Sequence, residues 1–233
     1  MRAWAVQRRV AGAIDRTPKP TEIDRVSADT VIRAGRPSAE DGEALTDRIL
    51  QKSWALLLDI GFENFSFDKL ARFGRFGKPT IYARFANKAE LLRAVLLQSI
   101  EEHTQGLFDS VAGQSIDEAI PALCANAVEY FHSPEGRLTD RLIDWLDIEA
   151  GDDGPSLRGW TATEATFKIR QRIESSIARG EIEISDLDAV SLFLVEGVTG
   201  HARLTKVQDK FDRDHHVQWA KRYWAMIKRA FHT

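Results

Sequence analysis

The side chains in this chain that could do chemistry are mostly cationic. From Lys69 to Arg93 the sequence carries Lys69, Arg72, Arg75, Lys78, Arg84, Lys88 and Arg93 against one acid, Glu90, a net charge of +6. Such a surplus on a short stretch suits a polyanion site, or a solvated charged face. The rest of the chain is graded the other way. Residues 1–35 sum to +3, residues 36–100 to +2 and residues 101–233 to −8, within an overall charge of −3. The acidic part is expected to stay away from a polyanion. The residue types of enzymes are poorly represented. There is no phosphate-cradling glycine loop, no nucleophile motif and no Cys/His cluster at zinc spacing. His215 and His216 are adjacent, so on a helix their side chains diverge, and His103, His132 and His201 show no ligand spacing. Cys124 is the single cysteine. It reads as a small buried hydrophobe, excludes an internal disulfide and fits a reducing cytoplasm. No enzyme activity, metal or cofactor is expected.

A cationic stretch is useful only if something positions it. The chain has 233 residues, 43% hydrophobic and 29% charged, in the range of a globular protein with one large or two small domains. No apolar run is long enough to span a membrane, and the first residues lack the continuous apolar core of a signal peptide. Between Ser66 and Phe85 lie two short apolar periods, Leu70-Ala71 and Ile81-Tyr82 with Phe85, separated by a glycine-containing break. That predicts a helix, a tight turn and a second helix, each too short to stand alone. Ser66 is the expected N-cap of the first and Pro79 is tolerated in the first turn of the second. Before them, Leu45, Ile49, Trp54, Leu56, Leu57 and Ile60 predict an amphipathic helix from Ala44 to Ile60, stopped by Gly61. After them, Asn87 caps a long helix from Lys88 to about Val111.

These residues carry a resemblance. Residues 35–100 resemble the N-terminal DNA-binding domain of TetR/AcrR-type transcriptional regulators. Gly61-Phe62 is similar to the Gly-aromatic end of that family's first helix, and Leu70-Ala71 to the Ile-Ala of its second. Lys78-Pro79-Thr80-Ile81-Tyr82 is similar to the Lys-x-Thr-Leu-Tyr of its recognition helix, and Phe85, Lys88 and Leu91 to the Phe-x-x-Lys-x-x-Leu opening its fourth. The resemblance implies a recognition helix, about Lys78–Arg84, in the major groove. Lys78 and Thr80 would meet bases or phosphate, Tyr82 and Lys88 phosphate, with Ser66, Arg75 and Arg84 as further contacts. Two departures stand out. Gly74-Arg75 replaces the usual Ala-Gly of the turn, and Gly77 replaces the usual Ser or Thr cap. Because a positive φ favours glycine, Gly74 is expected to take that position, tightening the turn one residue early.

The remaining chain predicts helices only: Ser115–His132 with a Ser115/Glu118 capping box, a helix through Leu138–Ala150 after a break at Ser133–Gly136, Ser156–Arg179, Asp186–Val207 and Asp212–Phe231. Glu181–Ile184 reads as an extended connection. The expected class is all-α: a three-helix DNA-binding domain (41–100, motif 66–85), joined by a long helix to a helical effector-binding and dimerisation domain (101–233), behind an arm at 1–40. That arm reads either as an untethered tail or as a basic contact to DNA. The Asp186–Val207 helix has almost no polar face and must be buried on more than one side. With the last helix it implies, by the resemblance, a four-helix homodimer interface using Phe193, Val198, Trp219, Tyr223, Met226 and Ile227. Phe108, Phe131, Trp145, Trp160 and Phe167 are expected around the domain centre, as plain core or as the lining of a pocket for a small apolar or aromatic effector. The function this implies is a cytoplasmic, homodimeric repressor of transcription that reads a palindromic operator in double-stranded DNA and is released by an effector. The alternative is a helical interaction module whose DNA binding has degenerated.

Overall fold

The structure, a computed structural model, describes residues 39–151, 154, 156–207 and 212–232. The expected arm at 1–40 lies, but for its last two residues, outside them. All regular structure in the described residues is helical: α1 Ala39–Ile60, α2 Phe67–Gly74, α3 Lys78–Tyr82, α4 Lys88–Asp109, α5 Ile116–His132, α6 Pro134–Ala150, α7 Leu157–Ala178, α8 Leu187–Val207 and α9 Arg213–Phe231.

Local chemistry sets most boundaries. Gly61 ends α1 at φ +78°, a conformation open to glycine at little cost, with its N–H on the Leu57 carbonyl at 3.0 Å. Asn87 opens α4 by accepting from the Glu90 N–H at 2.9 Å, while the Glu90 carboxylate accepts from the Ala86 N–H at 2.7 Å. Ser115 and Glu118 form the capping box of α5. Two boundaries differ from expectation. α1 begins at Ala39, five residues before Ala44. α6 begins at Pro134, where a break was expected. Ser133 acts as a cap, its hydroxyl accepting from the Gly136 N–H at 3.0 Å, and Pro134 occupies the first turn, where its missing N–H costs nothing.

Two apolar cores result. The first gathers Ile49 and Leu57 of α1, Leu70 and Ala71 of α2, Ile81 of α3, Phe85, and Leu91, Leu92, Val95 and Leu96 of α4. α6 joins it through Leu138, Leu142, Ile143 and Leu146. The second is built on α5, through Ile116, Ile120, Leu123 and Val128, with Ile173 of α7, Val190, Leu194 and Val198 of α8, and Ala220, Trp224 and Ile227 of α9. α4 serves both: its first half is buried in the first core, and Leu107 and Phe108 near its end pack against the second.

Candidate nucleic-acid interface and interior cavity

The helix-turn-helix forms by short-range bonds. The Ser66 side chain accepts from the Lys69 N–H at 3.3 Å and so opens α2. The turn corrects the sequence expectation. Gly74 stays helical, and Arg75 takes the left-handed conformation at φ 55°, ψ 43°. Among the described residues it is the only non-glycine with a positive φ. The physical reason lies one residue on. A Cβ on Gly74 would stand 2.1 Å from the ring of Phe76, which is buried in the first core. Gly74 is needed for that close approach, so the reversal falls on Arg75. Its cost is about 1–2 kcal/mol. The Phe76 N–H bonds back to the Ala71 carbonyl at 2.9 Å and closes the helix end.

α3 follows directly. Gly77 is an extended N-cap without a side-chain bond, and Pro79 lies in the first turn. Ile81 is fully buried and fixes the inner face. Arg84 fixes the far end: its Nε donates to the Thr46 hydroxyl at 3.2 Å and its guanidinium to the Thr80 carbonyl at 3.1 Å, tying the recognition helix to α1. Thr46 was invisible to sequence reasoning, since nothing in the spacing links it to a residue 38 positions away.

The outward face holds Lys78, in a 2.8 Å ion pair with Asp68, and Tyr82, which is 56% exposed with its ring 5.0 Å from that of Phe67. Thr80 is half-buried beside them. Lys69, Arg72 and Arg75 are exposed on and after α2. On α1, Arg48 lies over the Phe76 ring at 5.3 Å and Lys52 over the Phe73 ring at 5.6 Å. Lys88 is placed differently from the other candidates. Its ammonium donates to the Phe62 carbonyl at 3.3 Å and lies 4.4 Å over the Phe62 ring, with the Phe65 and Trp145 rings at 5.9 Å. Burial there lowers its pKa, against the opposing charge of Glu63.

The five candidate pocket aromatics separate. Phe108 and Phe131 line a cavity of about 160 Å³ between α4, α5, α7 and α8, together with Leu107, Leu123, Ile169 and Val198. Cys124 also lines it; burial pushes that thiol up to about 12, so it stays protonated and apolar. Trp145 instead packs on Phe62, ring centres 5.1 Å apart, beside Lys88. Trp160 and Phe167 are 42% and 51% exposed. The six candidate interface residues separate too. Val198 and Ile227 are buried in the second core. Phe193 and Met226 are exposed, as are Leu192 and Leu204. Tyr223 donates its hydroxyl to the Phe193 carbonyl and stacks on Trp219 at 5.1 Å.

The fold also assembles histidines that have no sequence spacing in common. His132 at the end of α5, His201 on α8 and His216 on α9 converge. His201 Nε2 is 3.1 Å from His216 Nδ1, and the His132 and His216 rings are 5.6 Å apart. His201 stacks on Trp219 at 3.8 Å. Burial and the neighbouring imidazoles push His201 down to about 4. Among the described residues no three His, Cys, Asp or Glu side chains are arranged to hold a metal. Nor is any helix there long and apolar enough to cross a membrane.

Comparison with known proteins agrees with this geometry. Residues 49–95 match the family model of bacterial regulatory proteins, tetR family. The chain is 27% identical over 180 residues to the HTH-type transcriptional repressor ComR of Escherichia coli K12, covering 72% of this chain and 82% of that one. It is 33% identical over 69 residues to the DNA-binding transcriptional repressor TetR of Mycobacteroides abscessus, covering 30% of this chain and 36% of the relative. The fold is shared with a TetR-family transcriptional regulator from Pectobacterium atrosepticum, at a TM-score of 0.62 and 17% identity over 84% of this chain and 98% of that one. It is also shared with RolR in complex with resorcinol, at 0.55 and 15% over 84% and 91%. A third is the TetR-family regulator CifR with 26-bp operator DNA, at 0.52 and 21% over 76% and 96%. These relatives are regulators of transcription and not enzymes. With residues 49–95 matched by the tetR-family model and the helical order of the rest shared with TetR-family regulators of known structure, both sequence and fold support a TetR-family regulator of transcription.

Proposed function

We propose that this regulator is a homodimeric repressor that reads a palindromic operator and is released by a small apolar or aromatic effector bound between α4, α5, α7 and α8. The observation that carries the proposal is α3, held inside by Ile81 and at its end by Arg84, with Lys78, Thr80 and Tyr82 outward among exposed basic residues. A recognition helix so fixed can offer Lys78 and Thr80 to base edges or phosphate and Tyr82 to phosphate. Ser66 and Arg75 stand at the ends of α2 as further phosphate contacts, and Arg84 acts by positioning. In this state the ammonium of Lys88 is committed to Phe62; its contact with phosphate would require that bond to open. The repressor named ComR, and CifR with its operator, support the reading by likeness.

Exposed Leu192, Phe193 and Leu204 on α8 and Met226 on α9 supply apolar surface for a second copy. An effector in the cavity meets Leu107 and Phe108 at the far end of α4, whose first residue, Lys88, lies beside the helix-turn-helix. A coupling of about 1–3 kcal/mol along that path is enough for release. Such a repressor works where the DNA is, in the cytoplasm. The test is an electrophoretic shift with pure protein and a duplex from the region upstream of its own gene, in excess non-specific competitor. Two subunits per shifted duplex are expected, with weaker shifts for Thr80→Ala and Tyr82→Phe. Absence of any salt-sensitive shift contradicts the proposal.

A further inference from the structure

The apolar cavity has a polar neighbour. A second cavity of about 230 Å³ adjoins it and shares Thr104, Leu107, Phe131, Val195 and Thr199 as wall. It adds His103, Tyr130, Asp140, Arg158 and Arg203. A ligand long enough to occupy both would have one greasy end and one polar end.

The ionisable groups at the polar end are unequally matched. Asp140 is met twice, by the Arg158 guanidinium at 2.9 Å and by Lys206 at 3.6 Å. Arg158 is met twice in return, by Asp140 and by Asp144 at 2.6 Å. Arg203 is exposed and, among the described residues, has no ion pair. Tyr130 shares a hydrogen bond with Thr139 at 2.7 Å. His103 stacks on the Tyr130 ring at 3.5 Å, and its buried Nε2 has no hydrogen-bond partner among the described residues. Burial lowers the pKa of His103 despite Glu135, so the ring is neutral near pH 7. A cationic ligand would therefore find Asp140, the one carboxylate in this lining, engaged and Arg203 opposing it, with Glu135 outside the lining. A neutral ligand would leave Arg203 unmatched. An anion would find a guanidinium able to bond it in a fork.

We propose that the effector is an organic carboxylate with an alkyl or aryl body, its body in the apolar cavity and its carboxylate at Arg203. This rests on the reading of the cavity as the effector site. Two matched series test it on the full-length protein by titration calorimetry: 4-phenylbutyrate, 4-phenylbutanamide and 4-phenylbutylamine, and octanoate, octanamide and octylamine. In at least one series the carboxylate is expected to bind at least about tenfold tighter than its amide and its amine, the scale of one charge-assisted contact. Arg203→Gln should reduce the carboxylate to the affinity of the amide and leave the amide unchanged. Ala165→Trp, which fills the shared wall, should weaken all three; circular dichroism confirms that both variants fold. Equal binding within both series overturns the proposal, as does a carboxylate preference that survives Arg203→Gln, or binding by no member of either series. Operator release is measured separately with the same compounds. A carboxylate that binds through Arg203 but leaves the operator complex intact supports the ligand class and overturns the effector reading.

Discussion

Arg75 sits where backbone sterics favour glycine, because Gly74 is spent on accommodating the Phe76 ring. Two substitutions separate these roles. Arg75→Gly removes the left-handed penalty and should raise unfolding stability by about 1 kcal/mol. Gly74→Ala forces a methyl into the Phe76 ring and should cost about 1–3 kcal/mol. Urea denaturation with unchanged m-value checks both; a Gly74→Ala protein as stable as the parent would contradict the account. The sequence showed that this turn departs from the family it resembles but not which residue carries the strain. Propensity alone points to glycine, and it loses to a packing contact that a linear reading does not contain. The same limit applies to Lys88. The resemblance marks it as a phosphate candidate, while its ammonium lies over Phe62 near Trp145, a residue 57 positions further on.

At the scale of elements, the periodic stripes of α1, α4, α5, α7 and α9 were readable because each buries one apolar face, whereas α8, apolar nearly all round, buries Val190, Leu194 and Val198 and leaves Leu192, Phe193 and Leu204 exposed. The start of α6 was not, because Ser-Pro signals a break and a helix start alike, and only the Gly136 N–H on the Ser133 hydroxyl decides between them. The histidine group was not readable either, since it forms only where the ends of α5, α8 and α9 meet. That meeting makes stability depend on pH. Around His201 stand His132, His215 and His216, with Arg137 and Lys206 facing His132 and Asp212 facing His216. The three convergent rings have pKa values lowered by folding, so the unfolded chain binds more protons between the folded values and about 6.5. Their contribution is therefore whole above pH ~6.5 and is lost as pH falls toward the value of about 4 held by His201. Thermal unfolding should show a midpoint that falls from pH 7 to pH 5, and His201→Gln should flatten that fall. A midpoint that rises on acidification, or a slope unchanged in His201→Gln, would contradict this linkage.

At the scale of the molecule, the division of charge, the helical class and the helix-turn-helix are all legible in the sequence. Net charges of +6 over 69–93 and −8 over 101–233 set a segment suited to a polyanion apart from an acidic remainder of the sequence. The interior cavity was legible only in part. Phe108 and Phe131 line it, but Trp145, Trp160 and Phe167, which have the same residue character, lie elsewhere. Helical periodicity says that a side chain faces inward, not what it meets there. In the proposed reading, operator binding rests on the outward face of α3, with its cation Lys78 beside Thr80 and Tyr82. The most direct test is operator affinity by fluorescence anisotropy as a function of salt, for the parent and for Lys78→Ala. With about six to ten phosphate contacts in the dimer, affinity should fall by about 10³–10⁵ between ~50 and ~200 mM salt. Lys78→Ala should bind more weakly and reduce the slope by about one per subunit. A salt-independent affinity, or a Lys78→Ala protein with the parent's affinity and slope, would contradict the claim.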